Sequence, residues 1–279
     1  MLKKGLCTAA LLALCAGYPV ELQAAAPPAQ LTYADAADLA IEAPVAAHVR
    51  IHRASVLRAQ DAVDVPAGHR RFLVVADVVS LIRGPGALPA RVSYLVDLPN
   101  DERGRAARLP RRGEYLLLAA DVAGRPGELR LVAPDAQIPY SAAEADRFRA
   151  ILRAAAARDA APRITAVGRA FHVPGAIPGE SETQLFLQTA DQRPVSLTIL
   201  RRPGEQPRWA VSLAEFVDET ATTPAAGTLL WYRLACSLPR TLPRQSAGEA
   251  RAGEWAAIQA DYRLVIEGLG PCTRNRRVR

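Results

Sequence analysis

The sequence predicts a mainly β (α+β) protein with two small Greek-key β-barrel domains, each followed by a packed C-terminal helix. Three observations predict this class: β-branched apolar runs recur in both halves, Pro-Gly turns separate them, and an amphipathic helical pattern closes each half. The 279 residues are 50% apolar and 23% charged, a composition that excludes disordered and fibrous chains. This length accommodates one or two domains.

Residues 1–24 are predicted to be a secretory signal peptide. Lys3 and Lys4 provide a basic start, and the uncharged apolar stretch 5–17 follows. That stretch is too short to cross a bilayer as a stable helix. Small residues then offer peptidase sites after Ala24 or Ala26. The predicted location of the mature protein is the periplasm or the extracellular space.

Lipoprotein anchoring at Cys15 is the alternative, but Leu14 occupies the position where a lipobox has a small side chain. No later run is long and apolar enough to cross a membrane. Because Lys3 and Lys4 are the only lysines, the mature chain would have none. That excludes Schiff-base enzymes, P-loop NTPases and protein kinases, and we predict no cofactor.

The first domain, residues 25–160, is predicted to contain five strands and a helix. The strands are expected at 47–57, 71–82, 90–98, 114–120 and 128–132. A capping box of Ser141 and Glu144 begins a helix near 142–158, in which apolar residues recur at i, i+3, i+4 and i+7. Pro162 ends this segment and marks the predicted domain boundary.

The second domain, residues 161–279, is predicted to repeat this plan. Strands are expected at 163–173, 183–189, 195–199 and 228–236, with a short helix after Ser212. A last helix from about Ser246 presents one apolar face, formed by Trp255, Ile258, Tyr262 and Val265. Three strands, a short helix and a further strand are typical of an OB-like barrel.

The first half, five strands and then a helix over residues 45–158, resembles netrin-like and metalloproteinase-inhibitor domains in plan. The resemblance implies a fold. Those inhibitors act through an N-terminal cysteine that this chain lacks, so inhibition is not implied.

Cys236 and Cys272 are the two cysteines outside the predicted signal peptide. Two cysteines in an exported chain favour one disulfide over a reactive thiol or a metal ligand, because neither has a histidine nearby in sequence. The sequence therefore predicts a structural Cys236–Cys272 bridge.

The histidines do not predict a metal site. His48 and His52 are four apart, which suits zinc on a helix, but their neighbours indicate extended chain, where they would be about 13 Å apart. We therefore predict no metal.

No catalytic motif is present either. His172, Ser181 and Asp191 could form a triad only by chance, and Gly-x-Ser-x-Gly is absent. Asp77 interrupts an apolar strand, where it either faces outward or has catalytic use. Trp231 and Arg233 would share one face of the predicted strand 228–236, where Trp231 is expected to join the core.

The connection 99–114 carries five arginines against three acidic residues. The arginines are Arg103, Arg105, Arg108, Arg111 and Arg112. A connection of this length is functional or disordered, and these side chains form a candidate anion-binding site. The alternative is a solvated loop. The basic tail 274–279 could bind nucleic acid or a membrane surface, but basic chain ends are commonly frayed and solvated, and that is the expectation here.

These observations predict an exported, non-catalytic binding or interaction protein whose partner is an unknown protein or an anionic ligand of the envelope. Export argues against nucleic acid as the partner. The alternatives are an exported hydrolase with an unrecognised site and a structural envelope component.

Overall fold

A computed structural model describes residues 31–101, 103–106, 108–213 and 223–276. The predicted signal peptide and the short helix predicted after Ser212 lie outside the described residues. The fold is mainly β, with a closed five-stranded barrel, a second sheet and a few helices.

The first half of the chain forms the barrel. Its strands are β1 (Val45–Val56), β2 (His69–Arg83), β3 (Arg91–Pro99), β4 (Glu114–Asp121) and β5 (Glu128–Leu131). They follow the order β1-β2-β3-β5-β4, and β4 closes the barrel by pairing with β1. The β3–β5 pair is parallel, and the other pairs are antiparallel. The short β6 (Gln137–Pro139) extends the sheet beside β4.

Strand β1 separates two apolar clusters. Val45, Val49 and Ile51 belong to the cluster formed by the barrel strands. Ala46 belongs instead to a cluster shared with the two helices α1 (Tyr33–Glu42) and α2 (Ala142–Ala156). Alternate side chains of a strand point to opposite faces, so the first half of β1, residues 45–49, is buried on both sides.

The second half forms a four-stranded antiparallel sheet, the second sheet. Its strands are β7 (Ile164–Pro174), β8 (Ser181–Thr189), β9 (Val195–Arg201) and β10 (Arg208–Ser212), in the order β10-β9-β8-β7. Its inner face packs against α3 (Leu229–Ala235) and α4 (Ala252–Leu269). Ile258, Tyr262 and Val265 of α4 are fully buried, as the helical spacing predicts.

The strand predicted at Thr228–Cys236 is wrong, because this segment forms α3. The Thr228 hydroxyl accepts a hydrogen bond from the Trp231 N–H and caps the helix. Trp231, Leu234 and Leu238 then enter the core at helical spacing. The predicted burial of Trp231 is confirmed, and its ring N–H donates to the carbonyl of Leu269 in α4.

The C-terminal segment lies across both halves of the fold. The predicted disulfide Cys236–Cys272 is present and ties this segment to the end of α3. Beyond it, Arg274 pairs with Asp38 of α1 at 2.6 Å, and Arg276 pairs with Asp135 at 2.7 Å. The expectation of a frayed tail is therefore wrong for residues 274–276, since these ion pairs hold them in place.

Candidate functional site

The second half of β1 carries three exposed basic or titratable side chains, Arg50, His52 and Arg53. Strict alternation would send one of two adjacent side chains into the barrel. The register of β1 against β2 shifts between Ile51 and Arg53, which marks a β-bulge. A bulge re-aims side chains, and here His52 and Arg53 are both exposed.

The end of the arginine-rich connection meets this part of β1. Residues 110–113 form a turn closed by a hydrogen bond of 3.0 Å, in which Arg112 has a positive φ of 61°. The Ile51 N–H donates to the Gly113 carbonyl at 2.9 Å and ties the turn to the strand. Arg111 and Arg112 are thereby held beside the bulge.

The strand and the turn enclose a cleft of about 910 Å³, which we call the basic cleft. Its titratable lining consists of Arg50, His52, Arg53, Asp77, Arg111 and Arg112. Four guanidinium groups therefore face a single carboxylate. Leu109, Ile51 and Ala54 complete the lining and give the cleft some apolar wall.

Carboxylates near the cleft are already paired. Glu114 accepts from Arg50 at 2.7 Å, and hydrogen bonds from Arg50 and His48 lower the pKa of its carboxyl. Asp77 accepts from Arg91 at 2.8 Å, and this bond, with the charges of Arg91 and His52, lowers the pKa of Asp77. Asp77 is thus an outward-facing ion-pair partner, not a buried acid with a raised pKa.

Three cationic groups of the cleft remain available. Within the described residues, Arg53, Arg111 and Arg112 have no ion-pair partner and no side-chain hydrogen bond. Guanidinium groups bind phosphate and carboxylate oxygens with parallel hydrogen bonds, which are stronger than those between neutral groups. The cleft can therefore accept an anion without first breaking a protein ion pair.

The other three predicted loop arginines do not line the cleft. Arg105 pairs with Asp101 at 2.9 Å. The Asp101 carboxylate also accepts hydrogen bonds from the backbone N–H groups of Arg103 and Arg105, and these bonds close a tight loop. Arg103 and Arg108 are exposed. Sequence reasoning missed Arg50 and Arg53, although the basic residues alternating along the predicted first strand were a usable signal.

His48 contacts Glu114, the carboxylate that also binds Arg50 of the cleft. Its Nε2 lies 2.9 Å from a Glu114 oxygen, and its ring stacks on Tyr140 with centroids 3.6 Å apart. His48 is buried, whereas His52 is exposed and lies 3.6 Å from Asp77. The predicted extended conformation, which separates the two histidines, is confirmed. No group of three potential metal ligands occurs among the described residues.

The structure does not bring His172, Ser181 and Asp191 together. Across the β7–β8 ladder His172 is opposite Thr183, and Ser181 is opposite Pro174. Asp191 pairs with Arg193 in the hairpin turn between β8 and β9. These three residues therefore form no triad.

His172 instead joins a buried network that the sequence did not reveal. The Thr183 hydroxyl donates to Asp261 of α4, so it accepts from His172 Nδ1, 2.8 Å away. Arg201 donates to the other Asp261 oxygen at 2.6 Å. Thr183 and Asp261 are at most 1% exposed, so no substrate reaches them. The network fixes α4 to the second sheet.

Comparison with other proteins gives no family assignment. The sequence matches no known family model, and no curated protein matches it significantly. Among the described helices, none has the length and apolar character needed to cross a membrane.

Proposed function

We propose that this protein is an exported, non-catalytic binding protein and that the basic cleft holds an anionic ligand. The observation that carries the proposal is the convergence of Arg53, Arg111 and Arg112, which come from two separate elements and have no partner among the described residues. Unpaired like charges repel one another, so an anion that neutralises them stabilises their arrangement.

The ligand chemistry follows from the residue type and the spread of the charges. Arginine is suited to planar, two-point recognition of phosphate and carboxylate groups. Three unpaired guanidinium groups around about 910 Å³ exceed what one monovalent anion needs, so the proposed ligand carries several anionic groups. The small apolar wall then contacts the part of the ligand that links them.

Export is part of the proposal. Its support is the order of basic, apolar and small residues over positions 1–26, together with the Cys236–Cys272 disulfide, which persists in oxidising compartments. We propose cleavage after Ala24 or Ala26. A mature N-terminus at either position, read by mass spectrometry, supports export, and a lipid-modified Cys15 supports anchoring instead.

We also propose that the chain folds as two OB-like domains. This proposal is supported by the strand order β1-β2-β3-β5-β4 with closure onto β1, and by the parallel β3–β5 pair, in residues 25–160. In residues 161–279 the support is weaker, because α3 occupies the segment where the fourth strand was predicted.

The cleft is tested by calorimetric titration with inorganic pyrophosphate and with citrate, which separate phosphate from carboxylate recognition. We expect saturable binding of at least one of them by the wild type. The double variant Arg111→Gln/Arg112→Gln should weaken binding at least about tenfold, because charge-assisted hydrogen bonds contribute roughly 1.5–3 kcal/mol each.

The matched control is Arg103→Gln/Arg108→Gln, which removes the same charge from the same connection but outside the cleft. We expect it to bind nearly as the wild type does. Equal weakening in both variants would show non-specific attraction, and no binding of either probe by the wild type would reject the cleft as an anion site.

A further inference from the structure

The second sheet exposes apolar side chains on the face opposite its core. Ala170, Leu185 and Leu197 point into the core, so alternate residues of the same strands point away from it. Those residues include Phe171, Val173, Phe186 and Leu200, with exposed fractions of 47, 62, 43 and 40%. We call the surface that these four residues form the outer face.

An antiparallel sheet with one solvated face normally places polar side chains there. Here Phe171 and Phe186 make an edge-to-face pair with ring centroids 6.1 Å apart. They line a shallow groove of about 620 Å³ together with Val173 and Leu200. Contiguous exposed apolar surface with a polar rim is typical of a protein–protein contact.

The rim of the groove carries both signs of charge. Glu180 and Glu182 lie on it with Arg201 and Arg202. Arg201 is engaged by Asp261, and Glu182 accepts from the Gln184 amide. Glu180 and Arg202 have no ion-pair partner within the part of the chain that the structure describes.

We propose that the outer face binds the outer face of a second copy of this chain, forming a two-fold symmetric dimer. In such a dimer one patch meets itself, so it must be self-complementary. An apolar centre fulfils this condition, and so does a rim on which one acid, Glu180, and one base, Arg202, have no partner among the described residues. A strongly acidic partner would place negative charge against Glu180, and a strongly basic partner would place positive charge against Arg202.

The proposed geometry is that of two stacked sheets. Face-to-face sheets pack about 10 Å apart with interdigitating side chains, which suits the projecting rings of Phe171 and Phe186. None of the four residues of the outer face lines the basic cleft, so the dimer does not depend on the proposed anion binding. It would present two clefts on one particle.

The test is sedimentation equilibrium of the purified protein, in the form that accumulates in the cells that express it. We expect the mass of two chains at concentrations up to about 100 µM, well above the micromolar Kd of a weak specific complex. Phe171→Ser/Phe186→Ser should shift the mass to one chain. Leu95→Ser, which alters a residue 46% exposed on the barrel, is the control and should remain dimeric. Circular dichroism confirms that each variant is folded.

The rim is tested by charge reversal. Arg202→Glu leaves only acids unpaired and should weaken the dimer at least about tenfold, by repulsion across the two-fold axis. Adding Glu180→Arg to this variant gives the rim one unpaired acid and one unpaired base again, and it should restore dimerisation. A wild type that is monomeric throughout, or a dimer that persists in the folded double-serine variant, would overturn the proposal. A photo-crosslinking residue placed at position 186 in the expressing cells should capture a second copy of the chain. Capture of a different protein would also overturn the proposal.

Discussion

Asp261 shows how one side chain can connect two elements. Its carboxylate is 1% exposed and is satisfied by the Thr183 hydroxyl and by Arg201. A buried carboxylate without such partners would lose far more solvation energy than it regains. The network therefore explains why a charged residue stands next to Tyr262 on the buried side of α4.

Asp261→Ala should lower the free energy of unfolding by about 3–5 kcal/mol, because it leaves Thr183 and Arg201 without their acceptor. The measurement is equilibrium denaturation in urea. Asp191→Ala is the matched control: its partner Arg193 and Asp191 itself are both more than 40% exposed, and such pairs contribute about 0–1 kcal/mol. Similar losses in both variants would contradict the structural role of the network.

The five barrel strands, the helix at Ala142–Ala156 and the first three strands of the second half could be predicted from the sequence. Their patterns are long or strictly alternating, and turn residues separate them. The segment Leu229–Ala235 could not be assigned correctly, since a short apolar run fits a buried strand and a buried helix equally well. Only its tertiary contacts with α4 settle the choice.

For the candidate site, sequence alone could find the arginine-rich connection but not which of its side chains matter. Arg111 and Arg112 are distinguished by the hydrogen bond between Ile51 and Gly113, a contact between residues far apart in sequence. The bulge that exposes both His52 and Arg53 could not be predicted from the sequence either, because it depends on the register of β1 against β2.

The C-terminal segment docks onto the turn before β6 through Asp135 and Arg276. The hydrogen bond from Arg276 lowers the pKa of the Asp135 carboxyl. A carboxyl whose folded pKa is lowered stabilises the protein above its unfolded pKa of about 3.9, and that stabilisation is lost as the pH falls through the folded pKa.

Replacing this charge should therefore change the pH dependence of stability. We expect Asp135→Asn to be less stable than the wild type by a constant amount between about pH 7 and pH 5, with the difference shrinking towards zero below about pH 4. Urea denaturation across this range measures it. Asp159→Asn, at an exposed residue with no ion pair among the described residues, should follow the wild type. A pH-independent difference for Asp135→Asn would argue against the ion pair.

Helix α1 and the C-terminal segment connect the barrel to the second sheet. Tyr33 of α1 packs edge-to-face on Trp231, and Asp38 accepts from the Tyr232 hydroxyl at 2.6 Å and from Arg274. The connection is therefore partly apolar and partly ionic. All three tryptophans, Trp209, Trp231 and Trp255, lie in the second half, so their fluorescence reports mainly on that half.

Because the halves share these contacts, we expect them to unfold together. In the wild type, urea transitions followed by tryptophan fluorescence and by far-ultraviolet circular dichroism should coincide, as for a two-state protein. Arg274→Gln/Arg276→Gln removes the two ion pairs and should separate the transitions. Arg125→Gln/Arg149→Gln removes two exposed pairs, each between residues three apart in sequence, and should leave the transitions coincident. Separate transitions already in the wild type would mean that the C-terminal segment does not couple the halves.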